Sequence, residues 1–157
     1  MSDIVDRMQK NSKKKQRREL QFILRDLMIA LVLCNNVTPS YHEGVVTYQA
    51  SSPDEIAFVK FCESINLKLL KRDQNTIHIQ LPNKKRETYT ILEIFPFKSS
   101  TKRMGILVQH QETKRIIFYL KGADSTMFDK VKEVYKGFLK DESENIASSG
   151  FRTLVFA

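Results

Sequence analysis

Phe97, Lys102 and Lys121 are the side chains whose types and spacing most plainly imply chemistry. They fall within Leu92 to Ala123, LEIFPFKSSTKRMGILVQHQETKRIIFYLKGA, where two apolar runs flank a polar turn. Ile106, Val108, Ile116, Phe118 and Leu120 lie in segments that alternate or run apolar, rich in β-branched and aromatic residues, as strands are. The spacing predicts an antiparallel pair joined across Gln111-Glu112-Thr113-Lys114. The aromatic-basic loop Phe95 to Arg103 enters the first strand, and Lys121-Gly122-Ala123 leaves the second. In an antiparallel pair the start of one strand lies beside the end of the next, so Phe97, Lys102 and Lys121 should converge. A flat ring, two ammonium groups and a glycine that admits close backbone approach suit a planar, anion-bearing ligand such as a nucleotide.

The surrounding elements must position that loop. Leu20, Ile23, Leu24, Leu27, Met28 and Leu31 recur at helical spacing, so Glu19 to Cys34 is expected to be a helix with one buried face. Asn35-Asn36 and Thr38-Pro39-Ser40 stop it, and Gly44 opens a short strand, Val45 to Gln49. Ser51-Ser52-Pro53-Asp54-Glu55 is a helix start, with a serine cap, proline in the first turn and two acids against the helix dipole. That helix should run to about Ile65. Leu67 to Arg72 and Thr76 to Leu81 read as a hairpin, and Glu87 to Phe95 as a long strand. Ser125 to Leu139 and Glu142 to Ser149 read as helices, Gly150 as a stop, and Phe151 to Phe156 as a last strand. Pro96 between Phe95 and Phe97 predicts a bend, with Phe95 the buried ring and Phe97 the free one. The order predicts an α+β fold: a mostly antiparallel sheet of six to seven strands with flanking helices.

Composition narrows the function. The chain of 157 residues is long enough for one domain with a real core. No apolar run approaches the roughly 20 residues a membrane span needs, and no signal peptide is visible. The net charge of +8 is uneven: residues 1–18 hold seven cations against two acids, +5, which leaves +3 for the other 139 residues. Residues 1–18 are expected to be a disordered basic tail and residues 19–157 the domain. Cys34 and Cys62 sit in apolar helical patterns and are expected to be buried free thiols in a reducing compartment. His42, His78 and His110 are far apart, and none pairs with a cysteine or carboxylate at ligand spacing, so no metal site is expected. The Gly-x-Ser-x-Gly elbow, the Gly-x-x-x-x-Gly-Lys phosphate loop and the Gly-x-Gly-x-x-Gly fingerprint are all absent. A nucleotide held here is not held by a glycine loop.

Four motifs in one order carry a resemblance: Ser52-Pro53-Asp54-Glu55, Phe95 to Met104 (FPFKSSTKRM), Lys121-Gly122-Ala123-Asp124, and Gly150-Phe151-Arg152-Thr153-Leu154. Together they resemble the nucleotide-binding domain of P-type ATPases, in the phospholipid-flippase branch and its Neo1-like subgroup, over about Leu20 to Ala157. The resemblance implies that Phe97 stacks on adenine and that Lys121 lines the adenosine pocket. It implies that Gly122 lets the base approach, that Glu55 lies near the adenine amino group, and that Lys102 lies near the ligand's polar end. Arg152 would reach phosphate or ribose. Ser99 stands where cation pumps often carry arginine, so one phosphate contact is expected to be missing.

The resemblance further implies ATP as ligand, with magnesium used by the parent enzyme, and no catalytic residue in this chain. The phosphorylated aspartate sequence Asp-Lys-Thr-Gly-Thr is absent, so the chain reads as an excised, monomeric domain that binds ATP without turnover. In the parent it would work with the phosphorylation and actuator domains to move a phospholipid, on the cytosolic side of an endosomal or Golgi membrane. The rival from another class is a basic module that binds nucleic acid or anionic membrane through the tail and Lys84-Lys85-Arg86. Its positive charge lies in turns and a tail, without aromatics on the strand faces near them, which is not the usual nucleic-acid footprint.

Overall fold

Residues 21–157 are described by the structure, a computed structural model. The expected basic tail, and Glu19 and Leu20 of the first helix, lie outside the described residues. Helix α1 covers residues 21–33. A two-stranded ribbon follows, β1 Thr38–His42 and β2 Val45–Gln49, then α2 Pro53–Ser64. The main sheet is built from β3 Lys68–Arg72, β4 Thr76–Gln80, β5 Arg86–Lys98, β6 Arg103–His110 and β7 Ile116–Gly122. Helix α3 Asp124–Met127, a short 3-10 turn, α4 Glu133–Ser148 and β8 Val155–Phe156 complete the chain.

The six strands from β3 to β8 stand in sequence order, each antiparallel to the next. This is the α+β architecture that the short polar turns predict. Alternation along the strands puts Leu69, Ile77, Ile79, Tyr89, Ile106, Val108 and Tyr119 into the core. The second half of α1 and Val59 and Cys62 of α2 cover that face. Both cysteines are free and buried.

Several boundaries differ from the sequence expectation. Thr38-Pro39-Ser40 does not merely stop α1 but begins β1, and Glu43 and Gly44, with φ of 48° and 80°, form its hairpin turn to β2. Asn or Asp usually takes the first of two such positive-φ positions, and a glutamate there hides the signal. Burial in α1 falls on the continuous run Ile29 to Cys34, whereas Ile23 and Leu24 are exposed. The helical stripe is real, but the sheet covers only the last turns. Helix α4 runs unbroken through Lys140-Asp141, where two helices were expected, and Gly150 at φ 80° terminates it. The last strand is only Val155–Phe156.

Candidate functional site

Helix α2 supplies one wall. Ser52 caps it, its Oγ accepting the Asp54 N–H at 3.3 Å, and Pro53 occupies the first turn. Glu55 thereby sits in that first turn, where the helix dipole favours a carboxylate, yet it is only 8% exposed. Its two oxygens are both used: Oε1 accepts from Lys121 Nζ at 2.7 Å, and Oε2 accepts the Asn36 N–H at 3.2 Å.

Strand β7 supplies Lys121. Register pairs it with Met104 on one side and Phe156 on the other, so its side chain points to the core face. The ammonium also lies 5.5 Å from the centre of the Phe58 ring, a cation–π contact that favours a desolvated charge. Phe58 in turn meets Phe156 edge-on at 5.9 Å. Phe58 is three residues after Glu55, so helical spacing puts both on one face.

The loop between β5 and β6 supplies Phe97 and Lys102. Ladder register shifts between Phe95 and Lys98, which is the bend Pro96 predicts. Phe97 is 59% exposed at the rim. Phe95 is not the buried ring that was expected: it is 49% exposed and packs edge-on against Phe118 at 5.6 Å on the opposite face of the sheet. Lys102 takes φ 46°, and its N–H donates to the Lys98 carbonyl at 2.7 Å. Its carbonyl accepts the Ala123 N–H at 3.2 Å, which ties the loop to the exit of β7. A Cβ on Gly122 would sit 2.9 Å from that same Lys102 carbonyl and 3.2 Å from Met127 Cγ. Here the glycine is required by loop packing, whatever it does for a ligand.

These parts enclose a cleft of about 970 Å³, at the upper end of the roughly 300–1,000 Å³ usual for small-molecule sites. Glu55, Phe97, Lys102, Lys121, Gly122 and Arg152 all line it. Ser99 is exposed and is not among the lining residues. Arg152 reaches across the mouth, its Nη1 3.4 Å from Asp54 Oδ2. Asn36, Met104 and Phe151, named from the sequence only as a helix stop and as members of motifs, line the cleft as well, as does Phe58, which sequence reasoning did not single out. The Glu55–Phe58 spacing was the one available signal for Phe58. Three cations, Lys102, Lys121 and Arg152, face two carboxylates, Asp54 and Glu55, so the walls carry an excess of one positive charge. An exposed aromatic ring at the rim, Lys102 and Arg152 at the mouth and the buried Glu55–Lys121 pair within suit an aromatic base with an anionic tail. Among the described residues no three His, Cys, Asp or Glu side chains converge to hold a metal ion. The oxygen-rich ligand set that magnesium takes is not assembled by these residues.

The family described as "P-type ATPase, cytoplasmic domain N" matches residues 23–157, and the chain belongs to it. It is 51% identical over 136 residues to the Phospholipid-transporting ATPase neo1 of Schizosaccharomyces pombe, a match covering 86% of this chain and 12% of that protein. It is 44% identical over 140 residues to the Phospholipid-transporting ATPase NEO1 of Saccharomyces cerevisiae, covering 88% of this chain and 12% of that protein. The chain thus spans about an eighth of the length of these relatives, and the resemblance to the Neo1-like flippases holds over most of its own length.

Proposed function

We propose that the cleft binds ATP and that the domain presents it to a phosphorylatable aspartate on another domain of a phospholipid-translocating P-type ATPase. The observation that supports this best is the common cleft of Phe97, Lys102, Lys121 and Arg152 in a chain of this family. Phe97 stacks on adenine, worth about 1–3 kcal/mol by analogy with nucleic-acid bases. The Glu55–Lys121 pair meets the base edge, and Gly122 lets the ring close. Lys102 and Arg152 meet the ribose and phosphates through charge-assisted hydrogen bonds. Ser99 contributes no charge, so affinity is modest. The isolated domain does not hydrolyse ATP. In the parent, the phosphorylation and actuator domains complete the cycle, a phospholipid is the cargo, and endosomal or Golgi membranes are the site of action. Magnesium travels on the triphosphate rather than on residues of this domain.

Titrating ATP against the chain while following amide resonances tests this. Shifts at Phe97, Lys102, Lys121 and Arg152 are expected, with a dissociation constant in the sub-millimolar to millimolar range, roughly −4 to −5 kcal/mol, little changed by magnesium. No shift at several millimolar ATP would overturn it.

A further inference from the structure

The floor of the cleft is connected to the far edge of the sheet by a run of buried and half-buried polar contacts. Glu55 is held by the backbone N–H of Asn36. The preceding residue, Asn35, is fully buried, and its side chain closes the end of α1. Its Nδ2 donates to the carbonyls of Leu31 at 2.8 Å and Val32 at 3.0 Å, and its Oδ1 accepts the Val37 N–H at 2.9 Å. That same Oδ1 accepts from Nη1 of Arg72 at 3.3 Å, and Nη1 also donates to the Leu33 carbonyl at 3.2 Å.

Arg72 ends β3, an edge strand four places from the β7 strand that carries Lys121. Burial pushes its guanidinium pKa below the ordinary value, with the nearby Glu55 charge acting the other way. Its Nη2 is buried without a hydrogen-bond partner among the described residues. A half-buried guanidinium with an orphaned, buried nitrogen is a poor choice for packing alone, because apolar residues of similar size usually serve as well or better. The group does something that packing does not: it holds the Leu33 carbonyl at the end of α1 and the side chain of Asn35, the residue next to Asn36, whose N–H faces Glu55.

We propose that Arg72 and Asn35 are positioning residues for the cleft, clamping the end of α1 so that the Asn36 N–H orients the Glu55 carboxylate toward Lys121 and toward a bound base. The consequence for affinity rests on the ATP reading above; the consequence for Lys121 does not. Without the clamp the Asn36 N–H drifts, Glu55 gains alternative rotamers, and the Lys121 ammonium loses its fixed acceptor.

The test uses the 157-residue chain with Arg72→Met and Arg72→Lys. In the free protein, the side-chain ammonium resonance of Lys121 should be protected from exchange in the wild type, lost in Arg72→Met and partly kept in Arg72→Lys. With nucleotide, Arg72→Met should weaken ATP binding about three- to tenfold and erode the preference for ATP over GTP. It should add nothing in a Glu55→Gln background. If Arg72→Met does not fold, Asn35→Ser gives the same two readouts with the same expected losses. A variant with a lower melting temperature but an unchanged Lys121 resonance and an unchanged ATP-to-GTP ratio reduces the clamp to packing and overturns the proposal. A wild type that ignores ATP sinks the ATP reading alone, and the Lys121 resonance then decides the clamp.

Discussion

Glu55 and Lys121 lie 66 positions apart and meet at 2.7 Å, with side chains only 11% and 8% exposed. The contact joins the start of α2 to the inner face of β7 across the cleft. Desolvating two charges is costly, and their attraction offsets it only while both are present. Glu55→Gln and Lys121→Met should each destabilise the fold by about 3–5 kcal/mol, because each leaves the other charge buried and unpaired. The double variant should be much less destabilised than the sum. Urea unfolding of the four proteins checks this; single losses under about 1 kcal/mol, the range of exposed pairs, would show that water reaches the pair.

Phe97→Ala separates a binding role from a core role. The ring is 59% exposed, so the melting temperature should barely move. ATP affinity should fall by about 1–3 kcal/mol, roughly five- to a hundred-and-fifty-fold, because the lost contact is base stacking. A loss of about 3–5 kcal/mol in stability, the usual result for a core phenylalanine, with unchanged affinity in the folded fraction, would falsify the stacking assignment.

Arg152 is paired with Asp54 in the free cleft, at 3.4 Å and largely in solvent. In the proposed ATP complex a phosphate would have to compete with that carboxylate. Asp54→Asn should therefore tighten ATP binding at low salt, by less than about 1 kcal/mol because the pair is exposed. Arg152→Ala should weaken binding and flatten its salt dependence. Calorimetry at two ionic strengths measures both; a weaker complex for Asp54→Asn would mean that Asp54 helps to hold the ligand.

Asp73 makes the β3–β4 turn sensitive to acid. The backbone N–H groups of Asn75 and Thr76, at 3.0 and 2.7 Å, and the Thr76 hydroxyl donate to its carboxylate. They hold its pKa down to about 2, the Asn75 N–H most strongly. The folded value lies below the unfolded one, near 3.9, so the stabilisation is complete above that pH and disappears as pH falls toward 2. The stability difference between wild type and Asp73→Asn should be constant at neutral pH and shrink below about pH 4. A difference that persists at pH 2 would contradict it.

Cys34 and Cys62 should be inert. Burial pushes both thiols up to about 11, so thiolate is scarce at neutral pH and the sulfurs are covered. A disulfide reagent at pH 8 should modify neither until the protein unfolds. Fast modification of Cys34 in the native state would show that the Arg72–Glu55–Lys121 region opens.

Much of this protein was legible in its sequence because the signals are local. The turns at Asp73-Gln74-Asn75, Asn83 to Arg86 and Gln111 to Lys114 are short, and short connections force neighbouring strands to be antiparallel. From that alone follow the meandering sheet and the meeting of Phe97, Lys102 and Lys121 at one cleft. Ser52 and Pro53 start α2 where their chemistry says, because capping is settled within one turn.

The tertiary structure decided what depends on which surface is covered. The stripe on α1 does not say that full burial starts at Ile29, with Ile23 and Leu24 left exposed. The bend at Pro96 does not say that Phe95 turns to the outer face against Phe118. Nor can spacing show that Glu55 and Lys121 are paired in the free protein, or that Asn36 and, through Asn35, Arg72 stand behind them. Caps, turns and alternation are short-range and repeat in any chain that carries them. Burial and ion pairing are long-range, and they are set only when distant segments exclude water from the same space.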